Sequence, residues 1–322
     1  MKITEDRDNK SMKPDLLLIC PLFPATMAQL DAAYTVHRYY QATDKDAFVA
    51  GLADRITAAA TAGHEGMSVS LMSKFPKLKI ISCFGVGVDG IDVPAARKLG
   101  IAVTNTPDVL TECVADNALA LVLATMRRTV FNDKFVRAGN WLKGNAPLAD
   151  KVSGNRVGII GLGRIGKAIA KRAEAFGMKV AYHSRNKQTG VGYDYYDQPV
   201  QLARDVKILI VACPGGKETE RIVSSEVIEA LGKDGYLVNV SRGSTVDEPA
   251  LVEALVNGRL AGAGLDVFVA EPKVPEALLK LENVVLQPHV SSGTHWTRAA
   301  MGQLVVDNLA AYFANKPLLT QV

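Results

Sequence analysis

The chain of 322 residues is 48% hydrophobic and 22% charged, with a formal net charge of +4. Two cores fit in that length, and the composition is that of an ordinary soluble globular protein. The mild positive charge comes without any run of Lys and Arg interleaved with aromatics, so nucleic acid is not an expected partner and anionic small molecules fit better.

Residues 1–14 are polar and mixed in charge, and Met12 offers an alternative start that leaves a disordered polar tail before it. No signal-peptide pattern follows, and no uninterrupted apolar stretch is long enough to span a bilayer, so a cytoplasmic protein without a membrane partner is expected. From residue 15 short apolar runs alternate with helical stretches: runs at 16–20, 34–39, 56–61, 79–84 and 101–104, with a helix around 27–33. That alternation predicts a small α/β domain with a parallel sheet. Gly85-Val86-Gly87-Val-Asp-Gly lies at the carboxyl end of one run, where such sheets keep their ligands. The amides of Val86 and Gly87 suit a carboxylate, although a plain turn has the same composition.

A long apolar helix is predicted over 110–126, followed by an irregular excursion over 127–151 that carries Trp141. Trp141 suits a core anchor or a subunit interface. The stretch around which the chain is organised comes next: an apolar strand, then Gly161-Leu162-Gly163-Arg164-Ile165-Gly166, then a helical pattern over 167–176 and a second strand over 178–183. In the dinucleotide-binding reading Gly161 makes the tight turn, Gly163 admits the pyrophosphate and Gly166 lets the helix pack on its strand. A structural turn or a different nucleotide site would share these glycines.

Just past the second strand, Ser184, Arg185, Asn186 and Lys187 stand where an acid usually binds the ribose hydroxyls. A guanidinium there pairs with a 2′-phosphate that an acid would repel, so NADP(H) is expected over NAD(H); the plainer alternative is a solvated basic loop. Further strands are predicted at 206–213, 236–241, 261–268 and 284–287, a helix at 247–256 opened by acidic residues, and a last helix at 295–315 that returns to the first domain. The whole is a doubly wound sheet of about six or seven strands. The four cysteines, Cys20, Cys83, Cys113 and Cys213, are far apart and read as reduced core thiols, with no metal site expected.

Arg242, Asp266, Glu271 and His289 follow successive strand ends, which places them along one edge of the sheet. His289 is the residue type suited to give a proton to a developing alkoxide, Glu271 to orient and charge it, and Arg242 to grip an α-carboxylate. Each also has an ordinary role open to it: a structural histidine, a helix opener at Glu271, a turn former at Asp266, a surface ion pair at Arg242.

These motifs together, Gly85-Val-Gly-Val-Asp-Gly-Ile-Asp92, Gly161 to Gly166, Val238-Asn-Val-Ser-Arg-Gly243, Gly264-Leu-Asp-Val-Phe268 with Glu271-Pro272, and Pro288-His289, resemble the D-isomer-specific 2-hydroxyacid dehydrogenase family over roughly residues 16–316. Within it the nearest likeness is to the glyoxylate/hydroxypyruvate and hydroxyphenylpyruvate reductase group. The resemblance implies a Rossmann coenzyme domain (residues 109–292) and a smaller, discontinuous flavodoxin-like substrate domain (residues 1–108 and 293–322). It implies that Arg242, with the Val86 and Gly87 amides, binds the substrate carboxylate, that His289 is the acid of reduction beside the nicotinamide, and that Glu271 pairs with it. Asp266 would contact the nicotinamide carboxamide, Val240 would face that ring, Arg164 and Ile165 would lie along the pyrophosphate, and Cys213, Pro214 and Thr219 would flank the adenosine.

The resemblance further implies a homodimer joined through the coenzyme domains, with Trp141 reaching the neighbouring subunit. The expected activity is NADPH-dependent reduction of glyoxylate or hydroxypyruvate to D-2-hydroxy acids, the alternatives being an aromatic 2-keto acid reductase or a dinucleotide-sensing corepressor. Two departures stand out: Ser291-Ser-Gly-Thr294 replaces a frequent Gly-Ser-Ala-Thr, and the loop from Ala62 to Gly66 carries little bulk.

Overall fold

The structure is a computed structural model and describes residues 13–322, so the N-terminal tail and the question of Met12 as a start lie outside the described residues. Residues up to Pro107, together with Arg298–Val322, form one compact unit; Asp108–Thr297 form a second.

The first unit runs β1 (Asp15–Leu18), α1 (Pro24–Ala33), β2 (Thr35–Arg38), α2 (Lys45–Ala50), β3 (Ala58–Ala62), α3 (Val69–Ser73), β4 (Ile80–Phe84), α4 (Val93–Lys98) and β5 (Ala102–Thr104). Its five strands pair in parallel in the order β2-β1-β3-β4-β5, the flavodoxin-like winding. Every residue of β3 and β4 is buried, as expected of a parallel sheet covered on both faces. One core gathers Leu17, Ile56, Met72, Phe75, Ile81 and Val103.

The second unit contains α5 (Thr111–Met126), α6 (Thr129–Arg137), β6 (Arg156–Ile160), α7 (Arg164–Ala175), β7 (Lys179–His183), β8 (Asp194–Tyr196), α8 (Pro199–Arg204), β9 (Ile208–Val211), α9 (Ser225–Leu231), β10 (Tyr236–Asn239), α10 (Glu248–Val256), β11 (Gly262–Leu265), α11 (Glu276–Leu279) and β12 (Val284–Leu286); α12 (His295–Phe313) begins there and continues into the first unit. Its seven strands are all parallel, in the order β12-β11-β10-β9-β6-β7-β8. Winding outward in both directions from β6 makes this the dinucleotide type of sheet, with its switch point between β6 and β9. Helix α5 packs against α7 and against β10 and β11.

Three expectations are corrected. The excursion over 127–151 is not irregular throughout, because α6 forms in it: Phe131 and Phe135, four residues apart, bring their rings to 5.9 Å, and Arg137 bonds Asp133 one turn back. The helix after the glycine turn starts at Arg164, three residues earlier than its apolar stripe indicated, because its first turn carries the end of the glycine motif, Arg164-Ile165-Gly166, and has no side-chain cap to mark its start. The edge strand β8 has no counterpart among the predicted runs, since Asp194 and its tyrosines lack an apolar signature.

Candidate active site

The glycine turn sits at the switch point. Gly161 takes φ +94°, and a Cβ there would come 2.6 Å from the Cys213 backbone; one at Gly166 would come 2.0 Å from the Gly161 carbonyl. Both positions are therefore closed to any side chain, whereas Gly163, the N-cap of α7, has nothing within 4 Å. A turn that is tight on its protein side and open at its middle glycine, at the start of a 12-residue helix, fits a dinucleotide pyrophosphate. Leu162 is buried, and Ile165 stands in the first turn of α7. Arg164 pairs with Asp108 (2.8 Å) in the same unit.

Around the turn lie the loops after β7 and β9. Ser184 Oγ donates to the Asn186 carbonyl (2.9 Å), fixing the loop that carries Arg185 and Lys187, and Arg185 Nη1 donates to Glu218 Oε2 (2.6 Å). After β9, Thr219 Oγ1 donates to the carbonyls of Pro214 (2.6 Å) and Gly216 (3.2 Å). Cys213 is buried, and burial pushes its thiol up to about 11, which makes it a packing group. Cys20 and Cys83 are likewise buried, while Cys113 is half-buried on α5 with its Sγ 2.8 Å from Thr297 Oγ1.

The carboxyl ends of the adjacent strands β10, β11 and β12 bring the ionisable residues together. Arg242 follows β10, half-buried, with its carbonyl accepting from Asn239 Nδ2 (2.9 Å) and Thr245 Oγ1 (2.6 Å). Val240 beside it is buried. His289 follows β12 at φ +53°, with Nδ1 2.7 Å from Glu271 Oε2. The second oxygen of Glu271 accepts from the Phe268 amide (3.0 Å), so the carboxylate is fixed from two sides. A cavity of about 260 Å³ opens beside this pair, lined by Phe268, Pro272, Val274, Leu279, Leu286 and Pro288.

Asp266 sits under the histidine loop. It is 1% exposed, its carboxylate accepts from the Val290 (2.7 Å) and Ser291 (2.9 Å) amides, and its carbonyl accepts from the His289 amide (2.8 Å). Three consecutive backbone donors thus converge on one residue, which holds His289 in the left-handed conformation that a non-glycine residue adopts only when its surroundings impose it. Asn117 adds to the brace, donating to Gln287 Oε1 (2.7 Å) and Ser291 Oγ (2.8 Å).

In the first unit, Val86 and Gly87 are half-buried just past β4; Asn105 Nδ2 donates to the Val86 carbonyl (2.8 Å). Trp141 lies in a short 3-10 turn, Asn140–Lys143, and is 63% exposed. Sequence reasoning passed over Glu218, Asp108, Asn239 and Asn117. Of these, Asn239 had a visible signal, a polar residue ending an otherwise apolar strand. Among the described residues no helix is long and apolar enough to cross a membrane, and no cluster of three or more His, Cys, Asp and Glu is placed to hold a metal ion.

Residues 119–291 match the family described as D-isomer specific 2-hydroxyacid dehydrogenase, NAD binding domain. The chain is 50% identical over 307 residues to a hydroxyphenylpyruvate reductase of Plectranthus scutellarioides, covering 95% of this chain and 98% of that protein. It is 48% identical over 307 residues to a glyoxylate/hydroxypyruvate reductase of Arabidopsis thaliana, again covering 95% and 98%. Among solved structures it is similar to the NADPH-dependent glyoxylate/hydroxypyruvate reductase of Sinorhizobium meliloti in complex with NADP and malonate, with a TM-score of 0.89, 45% identity, and coverage of 96% of this chain and 97% of that one.

Proposed function

Because the chain belongs to the D-isomer specific 2-hydroxyacid dehydrogenase family of oxidoreductases, we propose that it reduces small 2-keto acids of the glyoxylate and hydroxypyruvate type to D-2-hydroxy acids with NADPH. The observation that carries this reading is the 2.7 Å contact between His289 Nδ1 and Glu271 Oε2, on the same sheet edge as Arg242. With Nδ1 engaged, Nε2 is the nitrogen assigned to give a proton to the carbonyl oxygen, and the carboxylate fixes the orientation of the ring that gives it. Arg242 is assigned to hold the substrate carboxylate and polarise the adjacent carbonyl, and Val86 and Gly87 of the first unit are assigned to substrate binding. When bound, the reduced nicotinamide supplies the hydride for the keto carbon, so hydride and proton together make the alcohol.

Gly161, Leu162, Gly163, Arg164, Ile165 and Gly166 are assigned to the pyrophosphate, and Ser184, Arg185, Asn186 and Lys187 to the 2′-phosphate. Cys213, Pro214 and Thr219 are assigned to the adenosine half, and Val240 and Asp266 to the nicotinamide end. The NADPH preference is supported by the absence of an acid directly after β7 and by the likeness to an NADPH-dependent enzyme. A homodimer formed through the second unit, with Trp141 at the contact, completes the proposal. A second reading, an aromatic 2-keto acid reductase, is favoured by the apolar cavity beside His289 and by the hydroxyphenylpyruvate reductase relative.

Steady-state NADPH oxidation with glyoxylate, hydroxypyruvate, pyruvate and phenylpyruvate separates the two. The first reading expects the highest kcat/KM on glyoxylate or hydroxypyruvate. A preference for phenylpyruvate selects the second, and no turnover on any of the four rejects both.

A further inference from the structure

Arg185 does not face solvent alone. Its guanidinium donates to Glu218 at 2.6 Å, and the two side chains are 79% and 77% exposed. They come from the loops after β7 and β9, the strands that flank β6 on either side, so the pair lies across the end of the strand that leads into the glycine turn. Glu218 is presented by the 3-10 turn Lys217–Thr219, which the Thr219 hydroxyl ties to Pro214 and Gly216. An acid is thus missing directly after β7, yet one arrives at the same guanidinium from a neighbouring strand.

We infer that Glu218 is a specificity-determining residue for the coenzyme: its carboxylate occupies Arg185 when no coenzyme is bound and competes there with the 2′-phosphate of NADPH, lowering NADPH affinity relative to NADH. The inference rests on the assignment of Arg185 to the 2′-phosphate. An exposed ion pair of this kind is weak, so a dianionic phosphate displaces it. The displaced carboxylate remains on a short turn beside the phosphate and repels it, whereas a 2′-hydroxyl carries no charge to repel. Glu218 therefore tempers a preference that the basic loop alone would make steeper.

Calorimetric titration of the full chain with NADPH and with NADH tests this. Glu218→Gln keeps the size of the side chain and removes only its charge; it is expected to tighten NADPH relative to NADH by roughly three- to fivefold at low salt, and the gain is expected to fade near 1 M salt as screening sets in. An unchanged ratio of the two dissociation constants, with Arg185→Ala lowering NADPH affinity selectively, would overturn the role of Glu218 and leave the coenzyme assignment standing. If Arg185→Ala weakens both coenzymes equally, the 2′-phosphate assignment falls, and this inference with it.

Discussion

The histidine loop shows how one side chain's chemistry depends on a second residue's backbone contacts. Glu271 grips His289 from one side while Asp266, buried below, collects three consecutive amides of the same loop. The proposal makes His289 the proton donor, so His289→Ala is expected to lower kcat by roughly 10²- to 10⁴-fold with NADPH affinity nearly intact. Rapid-mixing turnover and coenzyme titration check both halves, and full activity in the variant removes the residue from the mechanism. Asp266→Asn presents an amide donor to amides that need an acceptor. It is expected to cost about 1–3 kcal/mol of stability, read as a lower urea midpoint at unchanged slope, and to lower kcat because the loop that carries His289 loosens. At this scale the sequence was legible in one pairing: His289 and Glu271, singled out together from their residue types, meet at 2.7 Å. The brace by Asp266 was not, because a carboxylate that caps backbone amides leaves no spacing to read, and its resemblance-based role at the nicotinamide concealed the structural one.

Among the elements, the glycine turn separates two demands that its motif runs together. Gly166 and Gly161 are fixed by contacts inside the protein, whereas Gly163 borders open space, which the proposal assigns to the pyrophosphate. Gly166→Ala, with its methyl 2.0 Å from the Gly161 carbonyl, is expected to forfeit several kelvin of Tm, since the α7 helix must move off β6. Gly163→Ala meets nothing, so it is expected to keep Tm and to weaken coenzyme binding; thermal unfolding with and without NADPH distinguishes the two. In the first unit, β1 and β2 are tied at Asp15, which accepts from His37 (2.6 Å) and Arg55 (2.8 Å). Burial works to raise this carboxyl's pKa, and the hydrogen bonds from His37 and Arg55 outweigh it, leaving it below the usual value. A carboxyl lowered by folding stabilises the fold above its unfolded pKa and loses that contribution as pH falls through its folded one. Removing the group by Asp15→Asn is therefore expected to lower urea stability at pH 7 and to cost progressively less as pH falls below the carboxyl's ordinary value of about 4, a narrowing that a series of unfolding curves across that range would show.

At the scale of the molecule, the parallel α/β character was legible because strands buried on two faces appear as apolar runs at regular intervals, whereas the flavodoxin-like winding of the first unit came from the motif resemblance. Legibility failed where burial fails. Edge strand β8 carries too little apolar pattern to be seen, and helix α6, although its Val130, Phe131, Phe135 and Val136 recur at helical spacing, buries none of them. The same failure of burial marks the arm beyond α6. Trp141, Leu142 and Leu148 are 63%, 94% and 97% exposed within a span of eight residues. Single exposed apolar residues are ordinary on a monomer, but three large ones on one excursion are the pattern of a surface that is covered by a partner. A tryptophan brings an especially large area to such a contact. The homodimer of the proposal assigns that partner to a second copy of the chain. Sedimentation of the wild-type protein at micromolar concentration is expected to show a dimer, and Leu142→Asp combined with Leu148→Asp to show a monomer with unchanged far-ultraviolet circular dichroism, since neither side chain packs into a core. A wild-type monomer at that concentration, or a double variant that remains fully dimeric, removes the arm from the interface.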